Sequence, residues 1–365
     1  MLVTVGMSLA VTGLGLVCTL GHDVVSGCAA LRCGMARPHP LGLQVVSSGD
    51  SPGVEPVVGH PLRGLSDGFV GLGLYALLAR EAVRDLLLYS RLPTEDACFW
   101  GDTALFLCLS GARTPEQEEQ ELDLYERLPP LVLRHTRLAI RPELRRVLPY
   151  GHVSVLAAMK EASEALVAGR FQRALILGVD SLTSDLGALE ALAMRRRLKT
   201  PEHPVGLMPG EAAAALLVED VAVARRRGAR IEARVEALQV RGVEAAPTDQ
   251  EGAPSVLRLA ETLEGTLAAA TRIGDVYGDL NGEESRAREW GTALARLRVR
   301  PVLAEARTHW PAVSLGDTGA ASGAIAVAAA TRSFVRNYAH GDELLIWSRS
   351  DSGAVAAGLV VRPKE

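Results

Sequence analysis

The sequence predicts an α/β protein with mainly parallel sheets, and three observations carry that expectation. Segments of strand character alternate with segments of helical periodicity, twice over, which is the pattern of sheets covered by crossover helices. Residues 174–179 form an unbroken apolar run, as a strand buried on both faces requires. Of the 365 residues 48% are apolar, enough for a large core in one big domain or two halves.

Taken in order, residues 9–12 read as a buried strand, followed by a glycine-rich turn at Gly13 and Gly15 and a helix opening after His22 and Asp23. The first 21 residues carry no charge. No Lys or Arg precedes the apolar run, however, and Gly6, Gly13 and Gly15 interrupt it, so neither a signal peptide nor a membrane span is expected. The glycines Gly13, Gly15 and Gly21 miss the GxGxxG spacing, and no acidic residue closes a following strand, which argues against a dinucleotide site. Residues 43–61 are loop-like. Residues 71–89 predict a helix, apolar at Leu72, Tyr75, Ala76, Ala79, Ala82 and Leu86. Residues 104–109 predict a short buried strand, and the Glu-rich residues 116–127 an exposed helical insert.

Residues 148–182 hold a turn, a long amphipathic helix and a buried strand in direct succession, the centre of the fold. Apolar positions recur at helical spacing through Val155, Leu156, Met159, Ala162, Leu166 and Val167 until Gly169 stops the helix. Its first turn, at Gly151, His152 and Val153, offers free backbone N–H groups and the positive end of the helix dipole, so chemistry belongs there. Beyond it come a helix through 189–193, a basic loop, a strand after Glu211, a surface loop at 241–254 and a helix at 257–271. A strand over 275–280 runs into a turn at Asn281 and Gly282. A helix at 289–297, a strand, glycine turn and helix over 313–331, and two strands between 343 and 361 complete the chain.

A net charge of −4 without long like-charge runs leaves no electrostatic footprint for nucleic acid. The short basic clusters at 195–199 and 225–230 read as solvated helix ends. All five cysteines lie in the first third without a CxxC pair, which suits reduced thiols in a cytoplasmic protein.

Five stretches, LAVTGLGLVCTLG, ALILGVDS, MPGEAAAALLVED, GDTGAASGAIAV and LIWSRSDSGAVAAGLVV, resemble in that order the signature segments of β-ketoacyl synthases of the thiolase superfamily. The resemblance covers nearly the whole chain. It implies a thiolase-like fold, with duplicated βαβαβαββ halves at 1–220 and 221–365 forming an α-β-α-β-α layered core. It further implies a homodimer, or a heterodimer with a ketosynthase-type subunit, and acyl thioesters of acyl carrier protein or coenzyme A as substrates, with no cofactor and no metal. Condensing members use a Cys at the start of the central helix and two histidines from later loops. Counting back from Gly178, the slot of that Cys is His152, with Ser154 close beside it. The loop of the first histidine is VYGDLNGEESRAREW, where Asp279 is the nearest equivalent and Asn281 the next. The slot of the second histidine, counted back from Gly323, is Asp317, and a usual lysine five residues earlier is Ala312. Ser352, next to Gly353, stands where the family often has a gatekeeping Phe.

Physics constrains such a site. A helix N-terminus favours a thiolate but pushes an imidazole toward its neutral form, and carboxylates converging from Asp279 and Asp317 oppose that push. Decarboxylative condensation needs donors for a developing enolate, and an ionised Asp only accepts. Two like charges about 4 Å apart repel by roughly 4 kcal/mol at an effective dielectric near 20, on the order of a thousandfold in rate. Ordinary condensation is therefore disfavoured, and two readings stay open. In one, His152, Asp279, Asn281 and Asp317 form a rebuilt site for acyl transfer or thioester hydrolysis, with Ser154, Ser352 and Gly353 contacting substrate. In the other, the chain is a noncatalytic partner similar in role to chain-length-factor subunits. Plain capping of backbone N–H groups also accounts for His152, Asp279 and Asp317.

Overall fold

The computed structural model describes residues 8–47, 53–111, 118–243, 254–297 and 301–364. Its strands are β1 (Leu9–Cys18), β2 (His39–Ser47), β3 (Gly53–Gly59), β4 (Thr103–Cys108), β5 (Arg145–Leu148) and β6 (Arg173–Ser181), followed by β7 (Glu211–Asp220), β8 (Ala233–Arg241), β9 (Ile273–Tyr277), β10 (Arg307–His309), β11 (Glu343–Arg349) and β12 (Val355–Val361). Apart from the β2–β3 hairpin they join in the order β10-β9-β11-β12-β8-β1-β7-β6-β4-β5. The central link is thin: β1 and β8 pair only at Leu9 with Val235, Ala10 with Arg234 and Val11 with Ala233. Two five-stranded halves result, and they enclose one shared core.

Period-two alternation explains the layers. In β6, Leu175, Leu177 and Val179 face an outer layer built on the helices Gly71–Tyr89 and Glu118–Thr136, while Ala174 and Ile176 face inward. The inward side packs on two central helices, Ser154–Val167 and Ser322–Val335, which also meet Leu344, Ile346, Ala356 and Val360 of the second half. Helices Pro254–Leu267 and Glu284–Leu297 cover the far side of that half. The stack is α-β-α-β-α. Covered on both faces, the central strands β1, β6 and β7 are apolar along most of their length, and each fully buried side chain in the core, such as Leu156 or Met159 of the central helix, contributes about 1.5–3 kcal/mol.

The structure differs from the sequence reading in several places. The sheet is mixed: β4–β5, β4–β6, β9–β10 and β9–β11 run parallel, whereas β1–β7, β6–β7, β1–β8, β8–β12 and β11–β12 run antiparallel. Alternation of strand and helix says nothing about the direction of strands as far apart in sequence as β1 and β7. Gly13 and Gly15 lie inside β1 rather than in a turn. A Cβ on Gly15 would stand 2.1 Å from the Ala82 carbonyl oxygen, so the glycine lets a helix settle directly on the strand. Residues 43–61, read as a loop, supply much of the β2–β3 hairpin. Over 313–331 there is no strand. Pro311 instead caps a helical turn, Ala312–Leu315, that Gly316 ends at φ +71°, and the strand β10 lies just before it. The Glu-rich segment leads into a longer helix whose Leu128, Val132 and Leu133 are buried in the outer layer. Residues 116–117 and most of the loop at 241–254 fall outside the described residues. No described helix is long and apolar enough to cross a membrane, and all five cysteines are free.

Candidate functional site

After β5 the chain turns through Gly151, at φ +63°, into a 3-10 turn, Gly151–Val153, and then the central helix. Hydroxyls lock that turn. Ser154 Oγ accepts from Tyr150 N (2.9 Å) and donates to the Leu109 carbonyl (3.2 Å). Val153 N donates to Ser350 Oγ (3.2 Å), whose hydroxyl in turn donates to the Tyr150 carbonyl. Ser154 is thus engaged twice by backbone and does not line the cavity in front of His152.

His152 is 7% exposed, and its Nε2 stands 2.8 Å from Asp317 Oδ1. The backbone of Asp317 is held by Met208 and Gly210, through Asp317 N to Met208 O (2.7 Å) and Gly210 N to Asp317 O (2.9 Å). Its carboxylate accepts from Gly319 N (2.9 Å) and from Asn281 Nδ2 (2.7 Å). Asn281 folds an Asx turn by accepting from Glu283 N (3.1 Å), and Gly282 follows at φ +104° with Gly206 O only 2.4 Å from where a Cβ would stand. Asp279 accepts from Arg349 N at 2.8 Å through Oδ2, which also lies 3.4 Å from Arg286 Nη1. Its Oδ1 is buried without a partner. The fold therefore brings His152, Asp279, Asn281 and Asp317 together. They share a cavity of about 10 Å³, room for about one water, whose wall also includes Ser322 and Trp347. Ser322 Oγ and Trp347 Nε1 are, like Asp279 Oδ1, buried without a partner. Ser352 is exposed in the turn after β11 beside Gly353, and neither residue lines this cavity.

Behind the four residues lies an ion-pair network that the sequence reading missed. Arg286, 1% exposed, reaches Glu283 (3.3 Å), Asp351 (3.0 Å) and the Arg349 carbonyl (2.7 Å). Arg197 clasps the same two acids from the other side, at 2.5 Å to Glu283 and 2.9 Å to Asp351. A signal for Arg286 existed: Trp290, Ala293 and Leu297 form a buried helical stripe, and stepping back four residues from Trp290 lands on that arginine.

These charges set the protonation states. Burial works against a cationic His152, yet Asp317 beside it holds the imidazole above its ordinary range. Burial likewise opposes the Asp317 carboxylate, but His152, Arg286 and the Asn281 amide hold it well below the usual range. For Asp279 burial wins, and its carboxyl is pushed up despite Arg286 and His152. With His152, Arg197 and Arg286 cationic and Asp317, Glu283 and Asp351 anionic the cluster is already neutral, so a fourth ionised acid has no counter-charge. Below its raised pKa the His152 ring donates and takes no proton. No cysteine lines the cavity, and burial pushes the Cys18 and Cys28 thiols up to about 11 and about 12.

No family model matches the sequence, and no curated protein matches it. Solved structures do. A β-ketoacyl synthase from Burkholderia phymatum STM815 is 17% identical at a TM-score of 0.74, covering 98% of this chain and all of its own. The ishigamide ketosynthase/chain length factor gives 17% and 0.73, again over 98% of this chain and all of its own. A structure of a type II PKS acyl-carrier protein in complex with its ketosynthase gives 13% and 0.72 at the same coverage. Agreement over nearly the full length of both partners shows that this chain has the thiolase-like fold of the ketosynthases.

Proposed function

We propose that the chain is a noncondensing subunit of the ketosynthase type, which pairs with a catalytic ketosynthase-type subunit acting on acyl groups carried by acyl carrier protein or coenzyme A. The observation that carries this reading is the closure of the site. His152, in the slot the resemblance gives to the nucleophilic Cys, is tied to Asp317 inside a neutral ion-pair network, with space for only about one water in front of it. A thioester has no room there. In this reading 1–220 and 221–365 are the two halves, and the Arg197–Glu283–Arg286–Asp351 network fills space that a reactive centre would need.

A second reading, hydrolysis or transfer of acyl groups with His152 as general base, is favoured by one feature. Three unpartnered polar atoms, Asp279 Oδ1, Ser322 Oγ and Trp347 Nε1, belong to residues around the same cavity, a setting for a water beside the imidazole. Affinity capture with the intact chain as bait separates the readings. The partner role is expected to recover a Cys-bearing ketosynthase in equimolar amount, and capture of none, together with thioester turnover by the chain alone, favours the hydrolytic reading.

A further inference from the structure

A second cleft lies at the far end of the sheet from His152. From Gly210, bonded to the Asp317 backbone, β7 leads on to Asp220, about 30 Å away at strand spacing, and the residue after it opens the cleft. About 530 Å³ in volume, it is walled by the short helix Val221–Arg226, the segment entering β8, the end of the helix Ser322–Val335 and the residues after β12. Five cations face it, Arg225, Arg230, Arg234, Arg362 and Lys364, against the single carboxylate of Glu232. That is a local reversal of sign in a chain of net charge −4.

The carboxylate is spoken for from behind. Glu232 accepts from Tyr89 Oη (2.8 Å), which accepts from Arg332 Nη1 (2.6 Å), so its charge is drawn inward. The ion pairs of the lining cations are loose or half-exposed: Arg230 to Glu232 at 3.5 Å, Arg234 to Glu236 at 3.3 Å, Arg362 to Asp342 at 2.6 Å. Arg225 and Lys364 have no ion pair among the described residues. Arg234 lines the cleft with its side chain about a quarter exposed. Guanidinium forks converging on a concavity of this size match the oxygens of a phosphate, and the volume is that of a small-molecule site rather than of a flat protein contact. The geometry points to a site for a small phosphorylated metabolite, its phosphates on the arginines and its organic part beside Ile231 and Val335. The short basic run at 225–230, unremarkable as sequence, is one wall of this site.

Calorimetric titration of the whole chain with inorganic pyrophosphate, repeated with ADP and with adenosine, tests the assignment. Pyrophosphate and ADP are expected to bind and to raise the melting temperature, adenosine is expected not to, and affinity is expected to fall steeply with salt. In an R225E/K364E variant, whose changes sit on exposed side chains, binding is expected to weaken by about tenfold or more while the melting temperature without ligand stays put. Absence of binding at millimolar pyrophosphate overturns the assignment, and so does equal binding of adenosine or an unchanged affinity in the charge-reversed variant.

Discussion

A histidine keeps its proton in a protein interior only when a partner offsets the loss of water, and Asp317 does this for His152 at 2.8 Å. Replacing Asp317 with Asn removes the charge while keeping the shape, and leaves a buried cation facing an amide. We expect a loss of about 3–5 kcal/mol in urea denaturation, the range for breaking a buried pair. An NMR titration should show the His152 pKa falling in the variant, and an unmoved pKa would contradict the pairing. The pH dependence follows from the signs. The raised His152 pKa contributes stability that is fully present below its ordinary value of 6.5 and is lost as pH rises through the folded pKa. The lowered Asp317 pKa contributes stability fully present above its ordinary 3.8 and lost as pH falls through the folded pKa. The difference between wild type and Asp317→Asn should therefore peak between those two values and shrink on both sides. Asp279→Asn should behave oppositely. Its raised pKa penalises the folded protein as pH climbs past 3.8, so the variant gains on wild type toward neutral pH, readable from melting temperatures across a pH series.

Among the elements, β1 carries the tightest approach. A Cβ at Gly15 meets the backbone at Ala82 O (2.1 Å) and Leu86 N (2.6 Å), atoms that cannot swing aside. Gly15→Ala is expected to cost about 1–3 kcal/mol by overpacking, whereas Gly101→Ala, with nothing within 4 Å, should leave the urea midpoint almost unchanged. The same strand marks where sequence reading stops. A glycine pair in an apolar run suggests a turn, and only the helix laid across it reveals why glycine sits in a strand. The central helix and β6 were legible because their apolar spacing is local. β5 was not: four residues at a sheet edge, two of them arginines, leave no periodic trace. The resemblance, counted along the chain, also led to His152, Asp279, Asn281 and Asp317. The arginines behind them escaped notice because Arg197 and Arg286 meet at Glu283 and Asp351 only once three distant segments have folded. Ser352 was drawn toward the site by counting alone, and the turn after β11 leaves it in solvent.

At the scale of the molecule, the two halves of the sheet and three helical layers converge on the starts of the two central helices, where His152 and Asp317 meet. That meeting point has room for about one water. On the proposed reading it is a closed centre, and the work of the subunit lies in its contacts with a partner. The most direct test is to incubate the purified chain with acyl and malonyl thioesters and follow both intact mass and free thiol release, beside His152→Ala. The expected result is no covalent adduct and no turnover above the buffer rate in either protein; thioester turnover by the wild type that disappears in His152→Ala would contradict the account.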